Sequence, residues 1–264
     1  MNRRGPVGRD EVADQARVPG RPIRQPGAQR APVRRPVLPE ERPRLQREAY
    51  RDLRQSVPSS AFDDVVKAFG AAGEALADGD PERAAPLLEW AKTMAPRAAV
   101  VREALGIVRY QLGDFSAASS ELSAYRRMSG REDQNHLLAD SARAAGRHDR
   151  VREYVEAMTS APDVGRDRIV EGALVLSGDL ADQGQLAEAL AVLQRADLAP
   201  TRIEPWQPRL WYAAADLSER LGDSDGANDY FEAILAVDPL FLDAAERLAM
   251  LDPDVTPGAG PDDA

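Results

Sequence analysis

Small and apolar residues recur along the chain in register with a repeated glycine. The glycines are spaced by 34, 33, 38 and 38 residues and are Gly79, Gly113, Gly146, Gly184 and Gly222. Five residues after each glycine stands a small or branched apolar residue, at Ala84, Ala118, Val151, Ala189 and Ala227. Nine residues after it stands a larger or branched apolar residue, at Leu88, Leu122, Val155, Leu193 and Phe231. A period of this length predicts a solenoid of stacked helical hairpins.

The residues next to each glycine predict two helices joined by a tight turn. Glycine commonly follows the last helical residue, because it reaches the left-handed backbone conformation without strain. Asp80, Asp114 and Asp223 follow three of the glycines, where an aspartate can cap the next helix. Sixteen or seventeen residues after each glycine, a helix-ending residue predicts the end of the second helix, at Pro96, Gly130, Pro162, Pro200 and Pro239.

A column of small residues predicts where the two helices of each hairpin touch. Seven residues before each glycine stands a residue no larger than serine, at Ala72, Gly106, Ala139, Ser177 and Ala215. Small side chains on facing helices let the two backbones approach closely, so that neighbouring side chains interdigitate. We therefore expect this column to be buried within each hairpin.

These columns resemble the tetratricopeptide repeat (TPR) family, in degenerate form, from residue 61 to about 251. Leu105 and Gly106 match the Leu-Gly pair of that repeat, Trp211 and Phe231 match its two aromatic positions, and the repeated glycine matches position 15. The resemblance implies an all-α, right-handed helical-hairpin solenoid of about five TPR-like repeats plus a C-terminal capping helix. That helix is predicted at 240–250, with Leu240, Leu242 and Leu248 covering the apolar end of the solenoid.

The chain departs from the family pattern at identifiable places. Position 11 of the repeat never carries the usual tyrosine, and Val151 stands where the third repeat would have alanine. The two 38-residue spacings predict extra residues in the loops around 160–168 and 200–208.

Charge divides the chain into two parts of opposite sign. Residues 1–58 hold fourteen Arg against seven Asp and Glu, a net charge of +7, whereas 59–264 hold twenty basic and thirty-seven acidic residues, a net charge of −17. Composition predicts a disordered Arg/Pro-rich basic tail over 1–38 and an acidic disordered tail over 252–264. A short helix and linker are predicted over 39–58, and the solenoid over 59–251.

The basic tail has three possible roles. Clustered Arg can neutralise phosphates, so the tail can be an arm that contacts RNA or the ribosome. Residues 1–49 contain no Phe, Tyr or Trp on which bases would stack, which weakens that interpretation. The tail can instead dock on the acidic repeats, or it can be an inert linker.

The sequence predicts no enzyme. There is no Cys, His136 and His148 are the only histidines, and no phosphate-binding glycine loop or nucleophile motif is present. We therefore expect no catalytic residue, no metal and no cofactor. No apolar run has the length of a membrane span, and no hydrophobic stretch follows Arg3 and Arg4, so we expect a cytoplasmic protein without membrane contact.

The TPR resemblance implies a scaffold or adaptor that binds a protein or peptide on a concave groove lined by the first helices. The tentative groove residues are Glu103, Tyr110, His136, Asp140, Arg143, Arg209, Tyr212, Asp216 and Glu219. Acidic residues outnumber basic ones among them, which favours a basic or mixed partner. Packing of Tyr110 and Tyr212 between repeats is the alternative interpretation. An RNA- or ribosome-associated protein that uses the basic arm is the alternative function. A pentatricopeptide-type RNA reader is disfavoured by the acidic repeats.

Overall fold

The structure is a computed structural model that describes residues 33–251. Within this range the chain forms twelve α-helices and no β-strand. The helices are α1 (Arg47–Ser56), α2 (Phe62–Ala77), α3 (Pro81–Met94), α4 (Ala99–Gln111), α5 (Phe115–Ser129), α6 (Asn135–Ala144), α7 (His148–Ser160), α8 (Arg166–Asp182), α9 (Leu186–Arg195), α10 (Gln207–Leu221), α11 (Ser224–Val237) and α12 (Ala244–Leu251).

Five helical hairpins follow one another along the chain, as the glycine period predicts. They are α2–α3, α4–α5, α6–α7, α8–α9 and α10–α11, and each packs on the next. The five repeated glycines lie in the turns of the hairpins, with φ between 65° and 81°. The side chains of Asp80, Asp114 and Asp223 accept hydrogen bonds of 2.9–3.1 Å from backbone N–H groups three residues on. The predicted solenoid and its turn chemistry are therefore confirmed.

The small-residue columns lie at the contact between the two helices of each hairpin. Ala72, Ala139 and Ala215 have no exposed surface, and neither have Val151 and the facing alanines. At Gly106 an added Cβ would stand 2.6 Å from two side-chain atoms of Leu122, so only glycine fits. At Ser177 the hydroxyl donates a 3.0 Å hydrogen bond to the carbonyl oxygen of Ala189 and thereby fills the same contact.

The two 38-residue spacings are accommodated in different ways. Near 160–168 most of the extra residues lengthen a first helix rather than a loop, because α8 has 17 residues where α4 has 13 and α6 has 10. Near 200–208 the extra residues do form a long connection, from α9 to α10. It begins at Asp197, whose φ is 86°, soon after α9 has ended.

The segment before the first hairpin packs on the solenoid. Pro43 covers Gly70 of α2 so closely that a Cβ there would overlap it. Leu53 of α1 is fully buried, and the carboxylate of Asp52 accepts a 3.0 Å hydrogen bond from the N–H of Val100 at the start of α4. α1 therefore reaches across the first helices of the first two repeats.

The C-terminal helix begins later than the sequence analysis predicts. Leu240 and Leu242 are 91% and 71% exposed, and the helix starts only at Ala244. The reason is a turn: Asp238 accepts a hydrogen bond from the N–H of Leu240, and Leu242 has φ of 46°. Phe241 and Leu248 pack instead on the cluster around Phe231, so that α12 caps the solenoid.

Some predictions concern residues outside the described range. These are most of the disorder predicted for 1–38 and for 252–264, and the RNA- or ribosome-binding arm, which stay predictions. Residues 33–38 of that predicted tail are described: Arg35 donates a 2.7 Å hydrogen bond to Asp64, and Leu38 packs against the core. Between residues 33 and 251, none of the helices combines the length and the apolar composition that a bilayer span requires.

The helix contact at Gly106 has a measurable consequence. We expect Gly106→Ala to lower the midpoint of thermal unfolding, because overpacking against the buried Leu122 costs about 1–3 kcal/mol and outweighs the gain in helix propensity. The matched control is Gly73→Ala on α2, where an added Cβ meets no atom within 4 Å. That change is expected to stabilise the chain by about 0.5–1 kcal/mol. If circular-dichroism melts show the unfolding midpoints of Gly106→Ala and Gly73→Ala shifting in the same direction, the close contact at Gly106 is contradicted.

Candidate functional site

The nine predicted groove residues lie on first helices of the hairpins, and each makes a polar contact with an adjacent repeat or with the C-terminal segment around α12. The hydroxyl of Tyr110 on α4 donates a 2.6 Å hydrogen bond to Asp140 on α6. Burial, together with that carboxylate, raises the pKa of Tyr110 far above its usual value. Tyr110 also packs edge-on against Phe115. The interpretation of Tyr110 as an inter-repeat contact is thus consistent with its position.

Glu103 is a half-buried carboxylate without a cation beside it. Its Oε1 accepts a 2.8 Å hydrogen bond from the side-chain amide of Gln134. No Lys, Arg or His nitrogen of residues 33–251 lies within 4.0 Å of its carboxylate. Burial raises the pKa of Glu103 above its ordinary value, and nearby Asp133 adds to the rise.

His136 is a neutral acceptor that holds an arginine. It is 6% exposed, and its Nε2 lies 3.1 Å from Nη1 of Arg168 on α8. Because a guanidinium only donates, Nε2 must accept and the proton must be on Nδ1. Burial lowers the pKa of His136 from 6.5 to about 4, and the charge of Arg168 adds to this effect. The imidazole is therefore uncharged near neutral pH.

Arg143 and Arg209 are each held by carboxylates. Nε of Arg143 donates a 2.8 Å hydrogen bond to Asp182, and its guanidinium lies against Gly178 of α8, with Asp140 3.9 Å away. Arg143 correspondingly lowers the pKa of Asp182. Arg209 on α10 makes two hydrogen bonds, of 2.6 and 2.8 Å, to Glu171 on α8. Both arginines thus link neighbouring repeats.

The predicted residues of the fifth repeat are engaged by α12. The hydroxyl of Tyr212 donates a 2.6 Å hydrogen bond to Asp243, just before that helix. Arg247 of α12 donates to the Tyr212 hydroxyl, to Asp216 at 3.0 Å and to Glu219. Its guanidinium carbon lies 5.2 Å from the ring centre of Tyr212 and 5.1 Å from that of Phe231. At this end, α12 covers Tyr212, Asp216 and Glu219.

Two clefts open along the first helices. The N-terminal cleft lies between α1 on one side and α2 and α4 on the other; it has a volume of about 830 Å³, and Glu103 lines it. The central cleft has a volume of about 450 Å³ and lies between α4, α6, α8 and the start of α10. Three predicted residues line the central cleft, namely Tyr110, His136 and Arg209.

The central cleft also contains residues that the sequence analysis missed. They are Leu137, Asp167, Arg168, Glu171, Val175, Pro205 and Trp206. Glu171 occupies position 2 of the fourth repeat, the same repeat position as Arg209 in the fifth. No candidate was taken from the fourth repeat, and applying the same groove positions to it would have found Glu171. Arg168 precedes that repeat, and Trp206 lies in the connection from α9 to α10, where no repeat position applies.

Metal binding finds no support among residues 33–251. No group of three or more His, Asp or Glu side chains there is placed to hold a metal ion. The carboxylates along the first helices instead meet arginine, tyrosine or amide partners of the neighbouring repeat. The chemistry of this face is hydrogen bonding and charge pairing.

Known structures share this fold. PilW, described as a widely conserved type IV pilus biogenesis factor, matches with a TM-score of 0.60 at 14% identity, over 80% of this chain and 89% of that one. YrrB, described as a TPR protein with an unusual peptide-binding site, matches with a TM-score of 0.49 at 16% identity, over 69% of this chain and 91% of that one. TTC0263, described as a thermophilic TPR protein in Thermus thermophilus, matches with a TM-score of 0.49 at 20% identity, over 70% of this chain and 96% of that one.

The comparisons identify the fold and go no further. No protein-family model and no curated protein match the sequence. The predicted helical-hairpin solenoid is confirmed by the five hairpins, and PilW shares that fold.

The depressed pKa of His136 predicts a pH dependence of stability. Between pH 6.5 and about 4 the unfolded imidazole binds a proton and the folded one does not, so acidification favours unfolding. The stability that the neutral His136 contributes to the folded state is fully present above pH 6.5 and is lost as the pH falls towards about 4. We expect His136→Gln, which keeps an acceptor for Arg168, to lose less stability than the wild type on acidification. The difference, from urea unfolding at both ends of that range, should be on the order of 1–3 kcal/mol. An NMR titration in which His136 protonates near its ordinary pKa would contradict the neutral acceptor.

The arginine that fastens α12 gives a second prediction. Arg247→Ala leaves Glu219 without its cation, leaves Asp216 with only Arg220 at 3.5 Å, and removes the stacking on Tyr212, at a cost of about 1–3 kcal/mol. We expect faster amide hydrogen exchange in α12 and in the last turn of α10. Arg195→Ala, at an exposed position of α9 without an ion pair, is the control. Unchanged exchange in α12 would show that its apolar contacts alone hold it.

Proposed function

We propose that this protein is a non-enzymatic TPR-type scaffold or adaptor that binds a segment of a protein partner in the central cleft. The single observation that carries the proposal is the composition of that cleft. Aromatic and aliphatic side chains (Tyr110, Leu137 and Trp206) lie beside the charged groups of Arg168 and Arg209. Apolar clefts with a few placed polar groups are typical recognition sites.

The geometry of the cleft favours an extended segment over a small metabolite. Its walls come from three first helices and from the connection before α10, so that one ligand would contact four consecutive repeats. The hydrogen bonds from Tyr110 to Asp140 and from Arg209 to Glu171 fix these side chains before binding. Preorganised side chains reduce the entropy that is lost when a partner binds.

Not every predicted groove residue belongs to the proposed site. Tyr110, His136 and Arg209 line the central cleft, whereas Asp140 and Arg143 act behind it through their bonds to Tyr110 and Asp182. Tyr212, Asp216 and Glu219 contact α12, so we do not include them in the proposed site.

The proposal is tested at Leu137, a half-buried apolar residue in the cleft. The full-length chain and its Leu137→Glu variant are used to capture partners from a lysate of the source cells, and each captured protein is then produced pure and its affinity measured. We expect Leu137→Glu to weaken binding at least tenfold, or about 1.4 kcal/mol, because a ligand would have to desolvate the new carboxylate. Met250→Glu, at a residue of α12 that is 79% exposed, is the matched control.

The design separates a folding defect from a binding defect. Both variants are first compared with the wild type by circular dichroism and thermal melting. A purified partner that binds all three proteins with equal affinity would place its site elsewhere and contradict the proposed cleft.

A further inference from the structure

The charged side chains that first helices contribute to the two clefts differ in how far they are paired or exposed. Arg209 is paired with Glu171 in a two-bond arrangement. Glu74 carries no ion pair within residues 33–251, but it is exposed near the end of α2. Asp167 is also exposed, with 60% of its side-chain surface in contact with solvent. A partner's opposite charge would therefore add little electrostatic stabilisation to these groups.

Two groups of opposite sign remain. Glu103 is half-buried, and its only polar contact in the described part of the chain is the uncharged amide of Gln134. Arg168 donates its short hydrogen bond to the uncharged imidazole of His136. Its ion-pair partner, the carboxylate of Asp167, is 3.7 Å from Nε, and the two side chains are 42% and 60% exposed, so the pair is weak and solvated.

The two groups are held on either side of the start of α6. Gln134 and His136, which bind them, are two residues apart and are 5% and 6% exposed. Glu103 and Arg168 are also near enough for the guanidinium to act on the carboxylate, because the charge of Arg168 lowers the pKa of Glu103. Burial opposes this effect and is the larger one, so the carboxylate stays short of compensating charge.

A charge whose counter-charge is absent, as at Glu103, or distant and solvated, as at Arg168, is a natural place for a ligand group of opposite sign. We infer that the bound partner segment carries one cationic and one anionic side chain, the cation directed to Glu103 and the anion to Arg168. This inference rests on the proposed function, because it specifies the chemistry of the segment that the groove takes. It also extends the site from the central cleft into the adjoining N-terminal cleft.

Other charges near the two groups do not alter this assignment. Arg131, whose charge also lowers the pKa of Glu103, is held by Glu48 and Asp133, each at 2.9 Å, and does not reach within 4.0 Å of the Glu103 carboxylate. On α1 the carboxylate of Asp52 is bound to the N–H of Val100. Arg44, which precedes α1, and Arg51 of α1 line the far wall of the N-terminal cleft and carry no ion pair within residues 33–251. A ligand cation would therefore approach Glu103 from the open side of the groove.

The inference is tested with defined peptide pools on the intact chain. Dodecapeptides with blocked termini carry two fixed positions, separated by two to five residues, which span roughly 10–20 Å when extended. The fixed pair is Lys with Glu in both orders, Lys with Lys, Glu with Glu, or Ser with Ser, and the other positions vary among apolar and small residues. Binding to the immobilised protein is measured at about 0.15 M salt, where the Debye length is about 8 Å.

We expect the wild type to bind the pool with one Lys and one Glu at least tenfold more tightly than any other pool. Glu103→Lys should transfer the preference to the pool with two Glu, and Arg168→Glu should transfer it to the pool with two Lys. Because the chain carries a net charge of −10, the two-Lys pool also measures unspecific attraction. Glu156→Lys and Arg195→Glu repeat the same charge changes at exposed positions of α7 and α9 and should leave the preference unchanged.

Failure of the inference is distinguishable from failure of the proposed function. Equal binding of all pools, lost in Leu137→Glu, would retain the groove and overturn the charge pair. Preferences that shift with the control variants as strongly as with Glu103→Lys and Arg168→Glu would also overturn it. If no pool binds the wild type at any spacing, the proposed function is contradicted, and the charge pair with it.

Discussion

The close contact between the two helices of each hairpin is the constraint on which the rest of this structure depends. It requires a tiny side chain on the first helix, as at Ala72 or Gly106, and a small or branched one on the second, as at Ala84 or Val151. Because this contact recurs five times with similar geometry, the first helices come to lie side by side. The candidate groove follows from that alignment, since most of its side chains come from adjacent first helices, and Pro205 and Trp206 of the connection before α10 complete it.

Alignment of the first helices explains why so much of the groove's charge is already satisfied. Residues about thirty positions apart become neighbours, so Tyr110 meets Asp140 and Arg247 meets Asp216. Such lateral bonds stabilise the stacking of repeats, but they also remove most charges from use in recognition. In the proposed site, selectivity then depends on the few groups whose lateral partner is uncharged. Gln134 and His136 are such partners, so that Glu103 has no cation within 4.0 Å among residues 33–251 and Arg168 has only the exposed Asp167, 3.7 Å away.

The sequence was sufficient for the architecture because the hairpin contact is local. The glycine turns, the aspartate caps and the small-residue columns all act within one repeat, so a period in the sequence reveals them. Roles that depend on neighbouring repeats were harder to predict. Trp206 lies in an inserted connection and Arg168 in a lengthened helix, where the repeat count gives no position. Arg247 covers Tyr212 from a helix whose beginning is fixed by the turn at Asp238 and Leu242, and nothing in the period indicates that turn.

The placement of α1 has a mechanical consequence. A solenoid bends easily along its length, because each repeat touches only its neighbours and small rotations between repeats add up. α1 makes contacts beyond its nearest repeat. Asp52 is bound to Val100 in the second repeat, and Glu48 is bound to Arg131, just before the third. α1 braces the first part of the coil, so elastic bending of the solenoid is confined to the repeats beyond it. Stretching or twisting of this protein would therefore change the curvature at α8 and α10 while the first two hairpins move as one stiff block.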